Sequence, residues 1–169
     1  MIEFLPALAL AFCAGLLVKT VDWIDDERKG RNVLKWPLAI LYGIILGYLI
    51  SQSSFSTIFL GALFAQVFAR KIDTHTHVVG FALAMLSVFV LGFPGFDAAL
   101  FVFFTLLAFI DEMEFVGKLK PLSDYRPFLP AGSALLILFG RFDYFLGIIL
   151  FDAGYALASA LQTRVFKVK

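Results

Sequence analysis

Read from its start, the chain alternates long apolar runs with short polar breaks. The runs extend from Ile2 to Val21, Val33 to Ile50, Phe55 to Ala69, Val78 to Phe93, Phe96 to Phe115, Phe128 to Phe139 and Tyr144 to Leu161. A helix needs roughly 20 residues to cross a hydrocarbon layer of about 30 Å, with about 17 as a lower limit. The third and sixth runs are short on that scale. Pro127 and Pro130 flank the sixth, so it is expected to be a tilted span, a half-helix or a re-entrant piece. The pattern predicts an all-α, polytopic transmembrane helical bundle of about seven helices in a single membrane domain covering residues 1–169.

The placement of lysine and arginine supports that count, because cytoplasmic loops collect positive residues. With seven spans, Arg141 alone of the 14 Lys and Arg residues falls on the far side. This predicts a multi-pass protein of the cell membrane, with its N-terminus outside and its C-terminus cytoplasmic. Glu3 stands where a signal peptide would carry basic residues, so residues 2–21 read as a retained span.

Composition adds to the picture in two respects. Hydrophobic residues make up 61% of the chain and 21 residues are Phe, which leaves too much apolar surface for folding in water and makes the lipid bilayer the expected partner. The formal net charge of +1 argues for no nucleic-acid partner. Cys13, the single cysteine, excludes an intrachain disulfide and any multi-cysteine metal site. Small residues at four-residue spacing (Ala7, Ala11 and Gly15; Gly43 and Gly47; Gly61, Ala65 and Ala69; Gly154 and Ala158) predict faces where helices approach closely. Such faces serve contacts within the chain and are equally compatible with a homo-oligomer.

Sliding the chain against itself by about 86 positions places Ile24, Asp25 and Asp26 on Ile110, Asp111 and Glu112. The same shift puts Phe59, Leu60 and Gly61 on Phe145, Leu146 and Gly147, and Gln66 on Asp152. Two parallel repeat halves, residues 1–72 and 96–165, joined by a linker helix over 78–93, give a 3+1+3 layout. Parallel repeats are a transporter design with sites near the midplane. The layout resembles that of SWEET sugar transporters, although the Pro-Gln motif of that family does not occur here.

Three groups of residues could carry chemistry. Asp152 is the only charge between Tyr144 and Leu161, and an acid at that depth costs at least a few kcal/mol unless it is paired, protonated or facing water. Tyr155 and Ser159 follow it on one side of the helix, and Gln66 is its counterpart in the first half, so these four are the expected transport or binding residues. Lys19, Asp22, Asp25, Asp26, Asp111 and Glu112 form an acidic cluster at the cytoplasmic mouth. With Arg28, Lys29, Arg31, Lys118, Lys120 and Arg126 nearby, its acids, Asp26 and Glu112 above all, could hold Mg²⁺ against a phosphate. Asp73, His75 and His77 alternate after the third run and would share one side of an extended segment, a spacing that suits a transition metal. The alternative there is a solvated loop in which Thr74 or Thr76 caps the next helix.

Three functions follow as expectations. The first is a small secondary transporter or channel for a cation or proton-coupled solute, centred on Asp152. The second is a Mg²⁺-dependent enzyme acting on an isoprenoid or lipid phosphate, although the Asn-Asp-x-x-Asp motif of UbiA-type prenyltransferases is absent. The third is an assembly subunit without chemistry of its own. No activated serine or cysteine and no glycine-rich phosphate loop supports hydrolase, ATPase or dinucleotide-binding readings.

Overall fold

A computed structural model describes residues 4–27 and 33–166, apart from the side chains of Glu27 and residues 164–166. Arg28, Lys29 and Arg31, expected beside the acidic cluster, lie outside the described residues. Among those described there are eight α-helices and no strands. They are α1 (Phe4–Glu27), α2 (Lys35–Ile50), α3 (Ser56–Phe68), α4 (His75–Leu91), α5 (Ala98–Asp111), α6 (Lys120–Tyr125), α7 (Phe128–Leu135) and α8 (Phe142–Phe166). Two of them, over Phe4–Asp26 and Phe142–Thr163, are long and apolar enough to cross a membrane. Large apolar side chains such as Phe89, Leu138 and Phe139 stand on the outside of the bundle.

Each apolar run has become a helix, and the breaks follow local chemistry. Thr74 accepts the His77 N–H at the start of α4, and Asp97 accepts that of Leu100 at the start of α5. The sixth run is the irregular one. It gives only the eight residues of α7, followed by a 3₁₀ turn, Leu136–Phe139, that ends at Gly140 with φ 79°. Beyond it Arg141 pairs with Asp143 at 2.9 Å and lies 4.0 Å above the ring of Tyr144.

Helix directions can be read from successive contacts. Phe4 meets Phe142, Gly15 meets Phe151, and Gln162 donates to the Lys19 carbonyl, so α1 and α8 run parallel. Ser56 bonds the Gly95 carbonyl, Gly61 meets Phe104, and Gln66 bonds Glu112, so α3 and α5 are parallel too. Tyr42 with His77, Gly43 with Gly80 and Gly47 with Ala84 make the third such pair, α2 with α4.

The small-residue faces are where these pairs close. A Cβ on Gly15 would overlap the Phe151 carbonyl oxygen, and one on Gly154 would overlap that of Phe12. Ala7, Ala11, Ala65 and Ala158 are buried along the same kinds of seam. Dispersion between closely packed backbones holds such seams together. The core is then filled by aromatic contacts, with Phe104 against Tyr144 at 5.0 Å and Phe55 against Phe4 at 5.2 Å.

Candidate functional site

The C-terminal ends of α1, α3 and α5 gather at one end of the bundle with the N-terminal ends of α2, α4 and α7. A cavity of about 520 Å³ lies among them. Polar and charged side chains line it toward that end, while Leu46, Phe59, Leu63 and Ile148 line it further along the helices. The midhelix acid and the acidic cluster, separate in the sequence, therefore share one space.

At the mouth, a hydrogen-bonded chain crosses four helices. The Tyr42 hydroxyl on α2 is 3.1 Å from His77 Nδ1 on α4, and His77 Nε2 is 3.1 Å from Asp22 Oδ1 on α1. The Tyr155 hydroxyl on α8 donates to Asp22 Oδ2 at 3.3 Å. His77 precedes the apolar run that begins at Val78. Its burial opposes the charged imidazolium, but the hydrogen bond it donates to Asp22 and the charges of Asp22, Asp25 and Asp73 outweigh it and raise the pKa above the ordinary value. Beside this chain, Asp25 binds Lys35 at 2.7 Å and accepts from Thr74 and Thr76 at 3.1 and 3.5 Å.

A second group surrounds the end of α5. Glu112 Oε1 accepts from Gln66 at 2.7 Å and from Arg126 at 2.8 Å. Asp111 is buried and acts on backbone, its two oxygens accepting the N–H groups of Phe128 and Leu129 at 2.9 and 2.7 Å. Those are two of the N–H groups that the start of α7 leaves without a helical partner. Pro127 offers them no cap, and Pro130 has no N–H of its own. Asp111 thus caps α7 from a different helix.

Asp152 lines the same cavity from α8. Among the described residues it takes part in no hydrogen bond or ion pair, and since no buried side-chain oxygen there lacks a partner, its carboxyl oxygens are open to the cavity. Asp111 and Arg126 are the charges close enough to act on it. Tyr155, about 4.5 Å further along the helix at 1.5 Å per residue, has Lys19 Nζ 5.0 Å and the Arg126 guanidinium 5.9 Å from its ring centre. Asp26 lines the mouth as well.

Some sequence expectations are met by a different arrangement. Gln66 reaches the cavity but bonds Glu112 rather than its repeat counterpart Asp152. Ser159 does not line the cavity, and its carbonyl receives the Thr163 hydroxyl. Asp73, His75 and His77 do not share a side. The extended segment expected for them is broken by the Thr74 cap, which puts both histidines in the first turn of α4, and His77 turns to Asp22. Among the described residues no group of three or more His, Cys, Asp or Glu side chains is placed to hold a metal ion.

Tyr42 and Arg126 belong to the site but stood out less in the sequence. Tyr42 sits inside an apolar run, and the one signal for it is Gly80, whose missing side chain makes room for the Tyr42 ring. Arg126 read only as one of several basic residues near the mouth. No protein-family model, curated protein or solved structure matches this chain.

Proposed function

We propose that this chain is a small multi-pass membrane transporter that carries a cation or a proton-coupled solute through the cavity, with Asp152 as the binding acid. The observation that carries the reading is an acid in an apolar helix, open to a cavity and bonded to no other side chain among the described residues. A structural acid would be expected to have a partner, as Asp111 and Glu112 do.

Two further observations support it. If α1, α2 and α3 are exchanged with α5, α7 and α8, the pair α1/α8 maps onto α5/α3, and the contact of α1 with α2 maps onto that of α5 with α7. That is the packing expected of residues 1–72 and 96–165 as parallel repeats around linker α4. Lys19, Lys71 and Arg126 also line the cavity, and on the positive-inside bias it opens toward the cytoplasm.

The reading as a Mg²⁺-dependent lipid-phosphate enzyme is weaker, because Asp25, Asp111 and Glu112 would each have to give up present partners to bind a metal. In liposomes containing a pH-sensitive dye, the full-length protein should carry a proton or cation flux that Asp152→Asn lowers at least tenfold. Equal flux in both would take Asp152 out of the mechanism.

A further inference from the structure

We propose that the ligand of this cavity is a small organic ammonium ion with an apolar body, its cationic head on Asp152 and its body against Phe59, Phe151 and Ile148. The inference rests on the reading of the cavity as the binding site of the transported species, and it adds the chemical class.

The charges around the cavity set the sign of the ligand. Of the basic residues that line the cavity, Arg126 is committed to Glu112 at 2.8 Å and Lys71 is paired with Glu114 at 3.9 Å, and beside it Lys35 is committed to Asp25 at 2.7 Å. Lys19 lies over the Tyr155 ring, nearer the mouth. The start of α7, which would otherwise attract an anion, already has its free N–H groups bound by Asp111. Among the described residues nothing comparable neutralises Asp152. Of the two charges that act on it, Asp111 adds to the negative field and Arg126 is held by Glu112. A cation is the ligand this arrangement leaves unsatisfied.

The walls set its body. Phe59 and Phe151 line the cavity with ring centres 6.2 Å apart, beside Leu63 and Ile148. A hydrated inorganic ion gains little from such a lining, whereas an alkyl or aryl ammonium gains apolar burial and an attractive ring face. The volume of about 520 Å³ suits a compact organic molecule.

The test is calorimetric titration of the detergent-purified full chain with phenethylammonium, phenethyl alcohol, 3-phenylpropionate and potassium chloride. Phenethylammonium should bind at least tenfold more tightly than the alcohol or the carboxylate, and Asp152→Asn should erase that preference while Asp152→Glu retains it. Equal or tighter binding of the carboxylate, potassium binding as tight as the amine, or a preference that survives in Asp152→Asn would each overturn the proposal. Should Asp152→Asn fail to fold, the ranking in the unmodified protein decides alone. The liposome assay separates the two readings. Asp152-dependent flux without an amine preference defeats the ligand class and leaves the transporter reading standing, whereas an amine preference without flux does the reverse.

Discussion

Removing the Asp111 carboxylate should unfasten α7 from the rest of the bundle. The two N–H groups it receives, from Phe128 and Leu129, open a helix only eight residues long. Hydrogen bonds to a charged group contribute a net ~1.5–3 kcal/mol each. Loss of a helix N-cap costs ~0.5–2 kcal/mol in all. Two such bonds sum to ~3–6 kcal/mol, and a value between that and the cap range, about 2–4 kcal/mol, is expected for Asp111→Ala, because the donors sit at a buried junction where water replaces the acid poorly. Asp111→Asn retains one acceptor oxygen and should cost about half as much, ~1–2 kcal/mol. At 1.4 kcal/mol per factor of ten, the alanine variant shifts the unfolding equilibrium roughly thirty- to several-hundred-fold. Steric trapping or denaturant unfolding in mild detergent measures that shift directly. A change below ~0.5 kcal/mol for Asp111→Ala, within the range of neutral surface substitutions, would refute the capping role and return Asp111 to the pool of ligand-binding acids. Asparagine as damaging as alanine would show that charge, not hydrogen bonding, is what matters.

Gly15→Ala and Gly154→Ala should each destabilise the fold by about 2–3 kcal/mol or more, since the new methyl meets a carbonyl of the facing helix and the two backbones must part; an unchanged melting temperature in detergent would contradict that close approach. For His77 the sign follows from its raised pKa. Its contribution to stability is complete below the ordinary imidazole value of 6.5 and is lost as pH rises through the higher folded-state value. The melting temperature of the native protein should therefore fall across that window relative to His77→Gln, and a difference of opposite slope would show that the imidazole is not held by Asp22.

The helices were legible because an apolar run bounded by polar residues has few other ways to satisfy its backbone. Even the weakness of α7 could be read, from Pro127 and Pro130. The small-residue seams were visible too, since glycine and alanine at four-residue spacing leave one flat face on a helix. The partners across those seams were not. Lys19 and Gln162, or Asp22 and Tyr155, meet only because α1 packs beside α8, and that pairing depends on the whole arrangement of the bundle rather than on any local signal. The same reason explains the acids. Their positions marked two separate centres, the midhelix acid and the cytoplasmic cluster, and a carboxylate that caps a helix, as Asp111 does, and one open to a cavity, as Asp152 is, look alike in sequence. The Thr74 cap was legible as one of the two threonines offered for it, whereas the Asp22 partner of His77, on another helix, was not.

The parallel pairing of α1 with α8 also bears on how the molecule is made. The seam of Ala7, Ala11 and Gly15 is synthesised well before the helix that covers it, because six helices, α2 to α7, lie between them in the chain. Its closure is a long-range event of the kind that slows folding. Until α8 is made, this closely approached face is bare, and synthesis interrupted before α8 leaves α1 with its small-residue surface uncovered.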